Sequence, residues 1–334
     1  MKRHYLALIV ILLAAITWTD CRRAREATDN APQFKVGLLF APDGKGDRSY
    51  NDMALQGIKE AHKTLEFETI EVQPPRTADY VSAIRDLARA GVKLIIGVGF
   101  LYSEPVKTVA AEYPSTKFVV VDGDAGGSAN VRSIVFRPEE GCYLVGAIAA
   151  AKSSSKKIGF IAGMDIPIMR KFECGFVQGA KKIDPNITIV RQYIGSTPAA
   201  FADPAKGRDV ALLMYDRGVD VIFHAAGASG NGVIQAAKER RKWVIGVDAD
   251  QSWMAPDFVL TSMRKRIDIS VQRAIDDAIN NRFTGGVRTL GLKEDGIDYV
   301  AKGTGPSLIP DELNESVQQM RDDVIRGKVK VCSQ

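Results

Sequence analysis

From Phe34 onward, short apolar runs of strand length alternate with segments whose apolar residues recur every three or four positions. This pattern leaves few possible folds, because parallel strands need a long crossover between them, usually a helix. Residues 34–40, 69–72, 94–98, 118–121 and 133–136 read as strands. Between them, Ala54, Ile58, Ala61 and Leu65, then Tyr80, Ala83, Ile84, Leu87 and Ala88, then residues 106–112, carry helical spacing. The expected fold class is therefore α/β with a parallel, doubly wound sheet.

The alternation then begins again. Pro138 opens a small-residue helix through Ala151, after which strands are expected at 158–162, 188–193, 219–224 and 244–247. Helices at 169–181, 204–215 and 232–240 separate them. Residues 90–97 (AGVKLIIG) and 217–224 (RGVDVIFH) echo each other, and each run leads through a glycine turn into a helix. Such an echo points to two similar lobes facing one another. An apolar run at 258–261, a helix at 267–281, a strand at 297–301 and a helix at 311–325 complete the chain. At 334 residues, the length permits one large or two medium domains, each able to bury a core.

Charge and cysteine usage exclude several classes. The formal charge of +5 comes from 45 basic and 40 acidic residues scattered among each other, so no nucleic-acid surface is expected. The cysteines at 21, 142, 174 and 332 form no CxxC pair, and the only histidines are His4, His62 and His224. Neither a metal site nor a cofactor is expected. Cys142 and Cys174 sit in apolar, small-residue helical patterns and read as buried core thiols. Lys2-Arg3-His4 followed by an apolar run at 5–16 has the form of a signal peptide ending at Cys21, with a polar tether at 22–33. An uncleaved amino-terminal anchor is the alternative.

Candidate site residues lie where strands hand over to helices, the edge at which open α/β sheets bind ligands. Asp47, Ser49, Tyr50 and Asn51 follow the first strand and a loop with Gly44 and Gly46. Ser49 with Asp52 three residues later reads as a capping box. Phe100 follows the turn Gly97-Val98-Gly99, Asp122 ends the fourth strand, and Gly227 belongs to a tight turn at a helix start. Asp248 ends an apolar strand, where an acid is costly without a partner. No phosphate loop, nucleophile elbow or zinc-protease motif occurs, and no catalytic residue is assigned.

Asp47-Arg48-Ser49-Tyr50-Asn51-Asp52 resembles the Asp-Lys-Ser-Phe-Asn motif of the basic membrane protein family, the PnrA-like substrate-binding lipoproteins of ABC transporters. In the same order come Gly97-Val98-Gly99-Phe100, Glu140-Gly141-Cys142-Tyr143-Leu144-Val145-Gly146 and Phe172-Glu173-Cys174-Gly175-Phe176. Ala226-Gly227-Ala228-Ser229-Gly230, Gly246-Val247-Asp248-Ala249-Asp250-Gln251 and Thr261-Ser262-Met263-Arg264-Lys265 follow. The resemblance implies a periplasmic-binding-protein type I fold, two Rossmann-like lobes joined by three crossovers. It implies a first lobe of 34–137 plus 250–283 and a second of 138–249 plus 284–334.

It also implies a purine nucleoside held in the cleft and passed to an ABC permease in the cell envelope; one cleft per chain makes a monomer sufficient. The ligand residues carried over are Asp47, Ser49, Tyr50, Asn51, Phe100, Asp122, Phe201, Gly227, Asp248 and Lys265. Tyr50, Phe100 and Phe201 would stack on the base, Asn51 and Asp122 would read its edge, and Asp248 and Lys265 would hold the sugar. Cys21 would carry the lipid anchor to the membrane, although Trp18 and Asp20 stand where the family's signal has Leu and a small residue. The alternatives are a ligand sensor of the same fold and a nucleoside-acting enzyme.

Overall fold

The computed structural model describes residues 34–332. The expected signal at 1–21, the tether at 22–33 and Cys21 lie outside the described residues. Among those described, no helix is long and apolar enough to cross a membrane.

Two six-stranded sheets stand side by side. The first contains β1 (Lys35–Leu39), β2 (Glu68–Val72), β3 (Leu94–Val98), β4 (Lys117–Val121), β5 (Val131–Phe136) and β11 (Gly286–Leu290), in the spatial order β2-β1-β3-β4-β5-β11. All its neighbours are parallel. The second contains β6 (Lys157–Ala162), β7 (Thr188–Tyr193), β8 (Val221–Ala225), β9 (Trp243–Asp248), β10 (Val259–Lys265) and β12 (Ile297–Tyr299), ordered β7-β6-β8-β9-β10-β12. Only β12, against β10, is antiparallel there. The central strands are buried on both faces, which is why they read as unbroken apolar runs.

Helices cover these sheets as the periodicity requires. α1 (Tyr50–His62), α2 (Tyr80–Arg89) and α3 (Ser103–Ala110) follow strands of the first lobe; α4 (Pro138–Lys152), α5 (Pro167–Ile183), α6 (Pro204–Asp216) and α7 (Ser229–Arg240) belong to the second. α8 (Ile267–Ile279) packs on α1, and α9 (Asp311–Ile325) on α4. α4 and α5 pack backbone to backbone: a Cβ at Gly175 or Gly179 would run into the carbonyl oxygens of Glu139 and Tyr143. The motifs around Cys142 and Cys174 therefore serve helix packing.

Two boundaries differ from expectation. The apolar run at 258–261 continues as β10 through Lys265 and pairs with β9, so the stretch 250–265 stays in the second lobe. Of the segment 250–283, the helix α8 returns to the first lobe. The strand β11, expected in the second lobe with 284–334, completes the first sheet beside β5. The chain thus crosses at Arg137, at Arg266 and between β11 and β12. The apolar run of β10 gives way to Arg264 and Lys265, and the middle of β11 is exposed, so neither the end of β10 nor β11 carries the apolar signal of a buried strand.

Cys174 is not a free core thiol. It is disulfide-bonded to Cys332, with the Cα atoms 6.1 Å apart, and the Gln178 Oε1 accepts a hydrogen bond from the Cys332 N–H at 2.8 Å. The partner stands 158 residues away in sequence, where local pattern carries no information about it. Cys142 is a buried free thiol, as expected.

Candidate functional site

The carboxyl ends of both sheets face a common cleft of about 670 Å³, open mouth included. The loop after β1 brings Ala41, Pro42 and Asp43; β3 leads to Gly99 and Phe100; β4 ends beside Asp122. From the second lobe come Ala225 and Gly227 after β8, Val247 and Asp248 at the end of β9, and Lys265 at the end of β10. Tyr50 reaches in from the start of α1 and Phe172 from α5, while Phe201 closes the turn Pro198–Phe201. Strand ends at a topological crevice are the position this architecture offers for a ligand.

A buried cation organises the charges. The Lys265 side chain is 2% exposed, and its Nζ lies 2.7 Å from Asp122 Oδ2 and 3.8 Å from Asp248 Oδ1. The faces of Tyr50, Phe136 and Phe172 surround it at 5.0–5.5 Å from their centroids. Burial opposes this charge, but Asp122 and Asp248 outweigh the burial and raise the ammonium pKa. Burial pushes Asp248 up to about 6, against the pull of Lys265 and of the Ser49 hydroxyl. Asp122 and Asp248 both adopt left-handed backbone, φ 62° and 65°, where their strands turn. Asp122 Oδ1 is buried without a partner and is free to accept from a ligand.

Seven of the ten expected site residues line the cleft: Tyr50, Phe100, Asp122, Phe201, Gly227, Asp248 and Lys265. The other three stand behind it. Asp47 accepts from the backbone N–H groups of Ser49, Asn51 and Asp52 and from the Asn51 side chain, at 2.7–3.1 Å. Asn51 accepts from the Ala41 N–H at 2.8 Å and donates to Asp43 Oδ1 at 2.8 Å. The Ser49 hydroxyl donates to Asp248 Oδ2 at 2.9 Å and to the Val247 carbonyl at 3.2 Å. The expected capping box is therefore not made. Ser49 makes no cap bond, because its hydroxyl spans the lobes and Asp47 satisfies the first turn of α1 instead.

Sequence reasoning missed Asp43, Ile168, Met169 and Phe172. Burial, and then the neighbouring charge of Asp47, push Asp43 up to about 8. Its signal was available, since it follows an apolar strand as Asp248 does. Phe172 had none: four residues before the buried Phe176, it reads as one more core position. A Cβ at Gly227, at φ 54°, would be strained and would lie 2.5 Å from Asp43 Oδ2, so any larger residue has to displace that carboxylate. The Tyr50 hydroxyl donates to the Val121 carbonyl at 3.1 Å, which ties the ring to the end of β4. Among the described residues, no group of His, Cys, Asp and Glu has the arrangement of a metal site.

Known proteins similar to this chain in sequence or fold are numerous. The family model described as "ABC transporter substrate-binding protein PnrA-like" matches residues 34–332. Basic membrane protein A1 of Borrelia garinii subsp. bavariensis is 34% identical over 332 residues, covering 97% of this chain and 95% of that protein. The ABC transporter nucleoside-binding protein BmpA of Lactococcus lactis subsp. cremoris is 32% identical over 359 residues, covering 100% of both. Among solved structures, an ABC transporter solute-binding protein of Aeropyrum pernix K1 superposes with a TM-score of 0.82 at 31% identity, covering 90% of this chain and 94% of that one. A transcriptional activator of the comK gene from Bacillus halodurans shares the fold, with a TM-score of 0.75 at 24% identity over 90% of this chain and 100% of that one. The match spans every described strand and helix, both faces of the cleft included, and the chain belongs to the Bmp family of PnrA-like ABC transporter substrate-binding proteins.

Proposed function

We propose that the chain captures a purine nucleoside between its lobes outside the cytoplasmic membrane and delivers it to an ABC permease. The observation that carries this reading is the union of aromatic faces with a buried acid–lysine–acid array in one cleft. Tyr50, Phe100, Phe172 and Phe201 offer apolar faces to a planar base, and stacking contributes about 1–3 kcal/mol per base. Asp122 and Asp248, held by Lys265, offer acceptors to ligand hydroxyl and amino groups. A hydrogen bond to such a charged group contributes about 1.5–3 kcal/mol. The Lactococcus lactis relative, nucleoside-binding by name, supports the same substrate class.

The array is divided between lobes. Tyr50, Phe100 and Asp122 belong to the first, and Phe172, Phe201, Asp248 and Lys265 to the second. A ligand that touches both favours the closed arrangement, and release to a permease follows from opening. Cys21 serves as the membrane attachment in this reading. One cleft per chain suffices for capture, so a monomer is functional.

The test is a thermal-shift series with guanosine, inosine, adenosine and free ribose. Binding to the folded protein alone raises Tm by mass action. A purine nucleoside raises Tm while ribose at equal concentration does not. An equal response to ribose would mean that the aromatic faces contribute nothing and would refute the nucleoside reading.

A further inference from the structure

We propose that the segment Asp47-Arg48-Ser49 is a latch that holds the two lobes together without help from the ligand. Each of its three residues has a partner in the second lobe. The Asp47 carbonyl accepts from Asn231 Nδ2 at 3.1 Å, and the Arg48 carbonyl from Gln251 Nε2 at 3.2 Å. The Ser49 hydroxyl donates to the Val247 carbonyl and to Asp248 Oδ2. Outside these, the Arg48 guanidinium lies 5.5 Å from the centroid of the half-exposed Trp253 ring. Asp47, Arg48, Asn231, Gln251 and Trp253 do not line the cleft, so a nucleoside there leaves the contacts of Asp47 and Arg48 untouched, whereas the partners of Ser49, Val247 and Asp248, do line it.

The segment is built to present its backbone across the gap. The Asp47 carboxylate takes up the N–H groups of the first turn of α1, which fixes the loop. Arg48, at φ 60°, turns the chain so that consecutive carbonyls meet two different amides. Gln251 is fully buried and anchored to β9 through the Val247 N–H, at 3.0 Å. When the lobes part, all of these groups return to water. The latch therefore weights the closed state in the free protein and lowers the fraction of binding energy that closure consumes.

The experiment pairs small-angle X-ray scattering of ligand-free protein with calorimetric titration, using the wild type and the double variant Asn231→Ala/Trp253→Ala. The proposal rests on the nucleoside reading for the titration alone; scattering needs no ligand. The expected result is a larger radius of gyration for the ligand-free variant. Guanosine and 2′,3′-dideoxyguanosine should each bind about 3- to 10-fold more weakly, by the same factor, as losing one net hydrogen bond implies. Identical scattering of the two ligand-free proteins would overturn the latch, as would a loss confined to one nucleoside. If guanosine fails to bind the wild type, the substrate reading falls, and the scattering comparison alone decides the latch. A far-ultraviolet circular dichroism spectrum matching the wild type establishes that the variant is folded.

Discussion

Replacing Lys265 by Met removes the cation but keeps much of the side-chain volume, which isolates the electrostatic contribution. In the wild type the ammonium lies 2.7 Å from one Asp122 oxygen and 3.8 Å from one Asp248 oxygen, with its side chain 2% exposed. Breaking a buried pair by deleting one partner costs about 3–5 kcal/mol, because the remaining charge has neither water nor a counter-ion. Part of that cost is avoidable here, since the Asp248 carboxyl can take up a proton. Asp248 already stands at about 6 against an ordinary 3.8, raised by burial and held down by Lys265 and Ser49. Without Lys265 the burial is less opposed, and the folded-state pKa rises further. A carboxyl whose folded pKa exceeds its unfolded value binds more protons in the native state, so its contribution to stability falls as pH rises through that interval. The deficit of Lys265→Met relative to the wild type should therefore be small near pH 5 and approach about 3 kcal/mol near pH 8. Urea denaturation of both proteins at the two pH values measures it. A deficit that is equal at pH 5 and pH 8, or larger at pH 5, would refute the assignment of Lys265 as the counter-ion of these two acids.

Asp248→Ala should weaken guanosine binding at least tenfold, since it removes charge-assisted bonds contributing about 1.5–3 kcal/mol each, while 2′,3′-dideoxyguanosine, lacking the ribose diol, loses little; equal losses by calorimetry would take Asp248 off the sugar. Cys332→Ser opens a loop whose ends are 158 residues apart. Denaturant titration under oxidising conditions should register a loss of about 2–4 kcal/mol, and reduction of the wild type should reproduce it. Cys21→Ser should release the protein from the membrane fraction or leave its signal uncleaved; a variant that is processed and sediments like the wild type would show that attachment lies elsewhere.

Much of the fold was legible in the chain because burial on both faces of a parallel sheet writes itself as apolar runs, and helix covering writes itself as three-four spacing. The runs at 94–98 and 158–162 correspond to β3 and β6 for this reason. The strand-end acid Asp248 was legible by the same logic, as a carboxylate where apolar residues should be. β11 was not, because an edge strand with an exposed middle needs no apolar run to be stable. Nor was the Cys174–Cys332 bond, since the two cysteines are brought together only when the carboxyl-terminal segment docks on α5.

Within the site, local pattern alone determined that Asp47, Ser49, Tyr50 and Asn51 occupy a loop-to-helix junction. Only the tertiary structure decided their division, with Tyr50 facing the cleft while Asp47 and Asn51 brace the loop and Ser49 reaches the opposite lobe. Local spacing specifies where a turn falls and which way a helix face points. Which polar group becomes a ligand contact and which a brace depends on the partner that desolvates it, and for Ser49 that partner lies 199 residues along the chain in Asp248.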